Sequence, residues 1–489
     1  MNKYLPLIVV LLPILGGLVI PLIKDNHRKA RCIYTETLVI VNAILVFWML
    51  FHKETEPLDV MYFTGDLTIS FMADGLSTVF SAMISFLWPL ATLYSFEYMT
   101  KEHNERVFFM FYTMTYGVTL GIALAEDLIT LYFFYEMLTL VTVPLVIHTL
   151  KREAIVAARK YLYYSLGGAA FAFIGMIFII MYGTTNRFVY GGVLDMAKIG
   201  DRTNILLLIY VLAFMGFSVK AAMWPCSAWL PQAGVAPTPV TALLHAVAVV
   251  KSGAFAVMRL TFFCFGAEFV RGTWAQYVVM SLAVFTLVYG CSKALKETHL
   301  KRRLAFSTIS NMSYILFGVT IMTPLGLLGA LTHFVFHSLM KITSFFCAGA
   351  VIHQTEKTYI HELDGLGKRM PVVFSIFTVS ALALMGVPGF AGFVSKWNLA
   401  TAAVQSGNTL AYVGVGGLLI SALLTAIYML SIVVRAFVPG KDFDESKVAE
   451  FKDPNALMLI PLIIFVIVVI IFGLHSAPLV EYLSQVAGV

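Results

Sequence analysis

The stretch HFVFHSLMK, residues 333–341, sets two histidines and a lysine inside an apolar run that begins near Gly326 and ends near Val351. At about 100° per residue, His333, His337 and Lys341 step round a helix by roughly 40° each, a narrow stripe about 12 Å long. A charged group at the centre of a bilayer costs about 3 kcal/mol or more, so such a stripe needs a reason. One buried histidine alone is ordinary packing. The H-x3-H spacing is zinc-like, but no carboxylate or cysteine stands at matching spacing nearby, so no metal is expected. A charged file along the helix axis suits a proton or ion relay better.

Other ionisable residues fall in comparable places. Glu136 is the only acid in LITLYFFYEMLTLVTVPLVIH, and a lysine partner would let it keep its charge at that depth. Lys220, in LLIYVLAFMGFSVKAAMWP, is the candidate. On position alone it could equally snorkel from a helix end, but the following WPCSAWLPQAGVAPTPV holds four prolines. They break the helix at membrane depth, and broken helices in transporters line ion sites. MGVPGFAGFVSKWNL repeats the design, with Pro388 and three glycines before Lys396. His245 and Lys251, in TALLHAVAVVKSGAF, lie six residues apart and point to different faces. Tyr289, Ser307, Thr308, Ser310 and Asn311 offer further relay points, although helix-to-helix hydrogen bonds explain each of them as well. Arg259 lies near enough to a helix end to snorkel and is given no role.

The elements that position these groups follow from composition. Of 489 residues, 60% are hydrophobic and 12% charged, and the mean hydropathy is +0.87. A soluble chain carries roughly a quarter charged residues. This is an all-α integral membrane protein by composition, with too little loop for a soluble domain. Apolar stretches long enough to cross a bilayer predict about fourteen transmembrane helices, near 3–23, 31–51, 74–99, 107–124, 127–150, 160–183, 204–224, 238–262, 275–294, 303–322, 325–352, 371–405, 411–436 and 455–475. The first stretch reads as a span and not as a cleavable leader, because its basic cluster follows it.

The basic residues orient the spans. Lys3, Lys53, Arg187, Lys198, Arg202 and Arg271 fall on one side, and Lys220, Lys251, Arg259, Lys341 and Lys396 fall within spans. All the other lysines and arginines, Lys441, Lys447 and Lys452 among them, fall on the side of loop 24–30. That bias makes loop 24–30 cytoplasmic and puts both termini outside. The net charge of +6 is thereby a matter of membrane topology, and nucleic acid is not an expected partner. The five cysteines, Cys32, Cys226, Cys264, Cys291 and Cys347, include no C-x-x-C, which argues against a disulfide framework, an iron–sulfur cluster or a Cys-based zinc site, so a redox centre held by this chain is not expected, and no cofactor is expected. The placement of the two broken helices divides the chain into helices 1–3 (1–106), a first five-helix repeat (107–262), a second (275–436), and a C-terminal loop with the last transmembrane helix (437–489). The arrangement points to two inverted repeats.

LYFFYEML, AWLPQAGVAPTPVTALLHAVAVVKSGAF, LKRRLAFSTISNMSYILFG, HFVFHSLMKITSFFCAGAV and GVPGFAGFVSKW, in that order, resemble one superfamily. It holds the antiporter-like subunits of respiratory complex I, the Mrp sodium/proton antiporters and the membrane-bound hydrogenases. The likeness covers about residues 70–435. It implies that Glu136 is the fifth-helix glutamate paired with Lys220 on the seventh helix, and that Lys251 is the eighth-helix lysine with His245 nearby. His333, His337 and Lys341 would be the eleventh-helix relay and Lys396 the twelfth-helix terminal group. The chain departs from the pattern in lacking histidines in WPCSAWLPQAG and in carrying His299 where an acid is common. Stopping soon after its last span, it is most similar to the shorter D-type Mrp or hydrogenase-type subunits.

The expectation is a proton-translocating subunit of a multisubunit complex in the cell inner membrane, with other integral membrane subunits, further antiporter-like ones included, as partners. The alternative is an Mrp-type subunit exchanging sodium for protons, which a lysine-rich axis with few acids disfavours. A catalytic redox subunit is disfavoured by the missing cysteine pairs and the absence of a G-x-G-x-x-G after a strand.

Overall fold

The computed structural model describes residues 2–52, 56–63, 67–440 and 443–489; Lys53 and Lys441, counted in the loop bias, lie outside them. The main helices begin with α1 (Leu5–Val19), α2 (Arg28–Phe51), α3 (Gly75–Tyr98) and α4 (Glu105–Ala123). Next come α5 (Leu128–Val146), α6 (Arg152–Tyr182), α7 (Thr203–Ser218) and α8 (Thr238–Phe265). Then follow α9 (Trp274–Lys296), α10 (Leu300–Thr320), α11 (Pro324–Thr355) and α12 (Pro371–Met385). The last are α13 (Ala391–Gln405), α14 (Thr409–Phe437), α15 (Ala456–Leu474) and α16 (Ala477–Ala487). Shorter helical turns join them.

Helix starts follow local chemistry. Asp74, Asp127, Thr323 and Asn408 each accept a hydrogen bond from the backbone of the first turn of α3, α5, α11 and α14, satisfying donors that a helix otherwise leaves free. Among the described residues, eleven helices are long and apolar enough to cross a membrane. The expected count of fourteen adds α4, α10 and the α12/α13 pair, which fall short of that criterion. Ser307, Thr308, Ser310, Asn311 and Ser313 dilute α10. The α12/α13 pair is split into two helices of 15 residues each, too short to span about 30 Å singly.

Two elements depart from the expected plan. Leu58–Tyr62 (β1) and Thr68–Phe71 (β2) pair antiparallel, with Leu58 opposite Phe71. The β-rich runs DVMY and LTISF on either side of a Gly-Asp pair were the available signal. The C-terminal segment also holds α16, beyond the last predicted span. It docks through buried Leu483 and Ala487, and the Tyr190 hydroxyl donates to the Ala487 carbonyl at 2.8 Å.

The core lies around α8 and α11. The apolar stretch of α8 is buried throughout and that of α11 is 89% buried, against 39% for α6 and 33% for α15. Peripheral helices of a membrane protein present apolar side chains outward, so the two least lipid-facing helices are free to carry polar residues.

Arg259 does not snorkel. It is 1% exposed, and its guanidinium forms a bidentate pair with Asp74 at 2.5 and 2.7 Å and donates to Ser77 Oγ at 3.0 Å. The rings of Phe188, Phe255 and Phe263 surround it. Position near a helix end suggested solvent, but α3 packs its N-terminal carboxylate over that end instead. Asp74→Asn should therefore cost about 3 kcal/mol by leaving a buried cation uncompensated, whereas Asp74→Asn with Arg259→Met should recover much of the loss. Thermal unfolding of the purified single and double variants in detergent checks this.

Candidate functional site

Helix α7 ends at Ser218, and the chain turns before a short helix at Trp229–Gln232. Trp229 Nε1 donates to the Val219 carbonyl at 2.9 Å and ties the break together. Lys220 sits inside this break, fully buried. Its Nζ donates to the Tyr135 carbonyl, lies 3.4 Å from the Tyr135 ring centroid, and is 3.9 Å from Glu136 Oε1. The Tyr135 hydroxyl donates to the Phe217 carbonyl at 3.0 Å, clamping α5 to α7. Glu136 is thus the looser partner at the far limit of an ion pair, and its side chain is 24% exposed. Gly253 lets α8 pass directly behind Lys220, because a Cβ there would stand 2.5 Å from the Ala221 nitrogen.

Lys251 and His245 ride on α8, fully buried. Lys251 Nζ lies 3.1 Å from His337 Nδ1 and 4.8 Å from the Phe334 ring centroid. His245 occupies a π-helical turn, Leu243–Val247, a distortion frequent at functional sites. Its ring lies 4.8 Å from that of Phe345, and neither ring nitrogen has a hydrogen-bond partner among the described residues.

The stripe on α11 reaches three different helices. His337 meets Lys251 on α8. His333 Nδ1 lies 2.9 Å from Ser395 Oγ on α13, and the His333 ring stacks on Tyr314 of α10 with centroids 5.0 Å apart. The two histidine rings are 5.6 Å apart. Lys341 Nζ donates to Ser307 Oγ at 2.7 Å and to the Leu304 carbonyl at 3.2 Å, both on α10, and Ser307 also accepts from the Tyr428 hydroxyl at 2.7 Å. Nε2 of His333 and of His337 are buried without partners among the described residues.

Lys396 lies beyond the second break. Gly386, at φ 88°, ends α12, a conformation glycine adopts at little cost. Lys396 Nζ turns back to the Leu384 and Met385 carbonyls at 2.7 and 3.0 Å, placing a cation at the C-terminal end of α12, where it is favoured. It lies 5.3 Å from the Tyr314 ring centroid.

The groups therefore form a path: Glu136, Lys220, the α8 backbone at Gly253, Lys251, His337, His333, then Tyr314 and Ser395 beside Lys396. Lys341 branches from α11 towards α10, and His245 stands beside this file with its ring against Phe345, in hydrogen-bond contact with no other member among the described residues. Among the described residues the only lysine of this set within 4.0 Å of a carboxylate is Lys220. No group of three or more His, Cys, Asp or Glu among those residues is arranged to hold a metal ion. Sequence reasoning missed Ser395, Tyr314, Tyr428 and the Tyr135 carbonyl. Tyr428 and Ser395 carry no local signal, since only helix packing brings them to the lysines.

Residues 125–425 match the family described as NADH:quinone oxidoreductase/Mrp antiporter, transmembrane, and residues 61–109 match the N-terminal part of complex I chain 5. The chain is 29% identical over 447 residues to an NAD(P)H-quinone oxidoreductase chain 4 of Trichodesmium erythraeum, covering 88% of this chain and 77% of that one. It is also 29% identical over 493 residues to a Na(+)/H(+) antiporter subunit of Alkalihalophilus pseudofirmus, covering 94% of this chain but 60% of that longer protein. Among solved structures, it superposes on a chain of an archaeal membrane-bound sulfane sulfur reductase with a TM-score of 0.85 at 22% identity, covering 99% of this chain and 97% of that one. A chain of the Mrp complex from Dietzia gives 0.83 at 20% identity, with 100% and 97% coverage. These two likenesses establish the fold.

Proposed function

The chain belongs to the NADH:quinone oxidoreductase/Mrp antiporter transmembrane family, and on that premise we propose that it moves protons along Glu136, Lys220, His245, Lys251, His333, His337, Lys341 and Lys396, in the role of an antiporter-like component of a larger membrane complex. The observation that carries this reading is the continuity of buried basic groups. Lys220, Lys251, His245, His333, His337 and Lys341 are all inaccessible to solvent, and the 3.1 Å Lys251–His337 contact joins the two halves. Structure alone gains little from this, because buried cations without counter-charges are costly.

Each proton transfer needs only a donor and an acceptor in reach. The Lys251 ammonium can donate to His337 Nδ1, leaving a neutral amine and an imidazolium. His337 can then release its Nε2 proton through a bridging water to His333, which stands beside Ser395, Tyr314 and Lys396. The Glu136–Lys220 pair controls the other end: a close carboxylate holds the lysine charged, and separation frees the proton. Neighbouring groups of this kind titrate together and not singly.

The two halves, α4–α8 and α9–α14 with α12/α13 counted as one crossing, act as inverted repeats. Each has its break in the fourth of five crossings, which supports the reading. The loop charge bias supports an orientation in the cell inner membrane with both termini outside. Glu136 and Lys396, at opposite ends of the path, are the least enclosed of its groups, as suits contact with neighbouring membrane subunits.

The intact complex reconstituted in liposomes should translocate protons in sodium-free buffer, and the isolated chain should show no sodium-dependent exchange. A pH-sensitive dye inside the liposomes reports both. Robust sodium-coupled exchange by the isolated chain would replace this reading with the Na+/H+ exchanger.

A further inference from the structure

Away from the buried path, a cavity of about 270 Å³ opens between the ends of α9, α10 and α14 where the basic loops gather. Its polar lining is Thr298, Arg303, His361, Ser431 and Arg435, and no lining residue is acidic. Arg303 is 7% exposed. Its Nε donates to the Glu297 carbonyl at 2.8 Å, and its Nη1 donates to the Tyr428 carbonyl at 3.0 Å and to Ser431 Oγ at 2.8 Å. All three acceptors are neutral oxygens, and Nη2 takes part in none of these bonds. A buried guanidinium so placed keeps an uncompensated charge, and part of its donor fork is left for an anion. Arg435, exposed at the rim, reaches Asp364 at 3.3 Å.

The remaining lining is apolar, and Ile427 of α14 belongs to it. Val413, Ile420, Ile427 and Val434 recur every seven residues along α14, and each is about half exposed. Seven residues are close to two helical turns, so these side chains stand in a row roughly 10 Å apart. On a membrane-spanning helix such a row faces acyl chains. From Ile427 it runs through Ile420 to Val413, roughly 20 Å, enough to cover one leaflet's share of a hydrocarbon core about 30 Å thick. The charged cavity and the apolar row thus meet at one residue, Ile427.

We propose that this cavity seats the phosphate headgroup of an anionic phospholipid, with an acyl chain laid along the Ile427, Ile420 and Val413 row of α14. The phosphate oxygens take the free part of the Arg303 fork, whose planar geometry suits them better than a lysine would. Arg435 and His361 close the rim around the headgroup. A basic pocket between transmembrane helices at the end with the basic loops is where anionic headgroups bind. A free phosphate ion would use the same donors but gains nothing from the apolar row, and the continuity of the two through Ile427 favours the lipid.

The test places the intact complex in phosphatidylcholine vesicles that hold a small fraction of phosphatidylglycerol with a photoreactive acyl chain. After illumination, the labelled peptides are mapped by mass spectrometry. Label is expected within residues 413–434, displaced by excess unlabelled phosphatidylglycerol but not by extra phosphatidylcholine or by inorganic phosphate. Arg303→Gln should lower this label about fivefold or more, the effect of one cation near an anionic headgroup. Arg303 also ties α10 to α14, so a second variant leaves it in place. Thr298→Glu, at an exposed position of the cavity wall, sets a carboxylate against the phosphate and should lower the label as much. Equal labelling of the row by photoreactive phosphatidylcholine, or parent-level labelling in either assembled variant, would overturn the site. Displacement by inorganic phosphate would replace the lipid with a free anion, and labelling of the isolated chain but not of the complex would show a neighbouring subunit covering the row. Either result overturns the lipid.

Discussion

Glu136→Gln and Lys220→Met should each abolish coupled proton movement while leaving the amount of assembled complex near the parent level. Glutamine keeps the size and the packing of Glu136, whose side chain is 24% exposed, so little stability is at stake. What is lost is the charge that alternately holds and releases the Lys220 ammonium. Lys220→Met keeps the apolar stem within its break and removes the proton carrier, and it relieves the cost of burying a cation, so folding should not suffer. A loss of about tenfold or more in flux corresponds to at least 1.4 kcal/mol in the barrier. Because Lys220 is held by the Tyr135 carbonyl and ring as well as by Glu136, the acid variant should retain the lysine in place. Its defect is thereby one of release and not of assembly. Wild-type flux in either variant, by pH-sensitive dye in vesicles, would remove the pair from the mechanism.

Much of this arrangement is written in local chemistry. Four prolines after Lys220 and the Gly-Val-Pro-Gly run before Lys396 break their helices wherever the rest of the chain goes, so both lysines could be placed at breaks from the sequence. The His333, His337 and Lys341 stripe follows from helical periodicity alone. Partners across helices do not. Spacing sets His337 and Lys341 four residues apart, yet His337 bonds to Lys251 on α8 and Lys341 to Ser307 on α10, which depends on how three helices pack. Arg259 shows the same limit in reverse. Its position near a helix end pointed to water, but the carboxylate that buries it, Asp74, lies 185 residues away in the chain. The His245 π turn is a further case in which tertiary packing and not local propensity decides, whereas the β hairpin did carry a local signal in DVMY and LTISF.

The second large effect concerns Lys341, and it bears on the central claim that the buried lysines and histidines carry protons and do not merely pack. Lys341→Met preserves most of the side-chain volume and should fold, because a thioether is cheaper to bury than an ammonium. Lys341→Arg preserves a charge and donors for Ser307 and the Leu304 carbonyl, but its guanidinium does not give up a proton. A transfer role requires both to fail, the first for lack of a proton site and the second for lack of release. A packing role requires at least one to succeed. The deciding measurement is the initial rate of proton translocation by the intact complex in sealed vesicles, with parent, Lys341→Met and Lys341→Arg compared at equal amounts of assembled complex. Rates below about a tenth of the parent in both variants are the predicted result; a near-parent rate in Lys341→Met would contradict it.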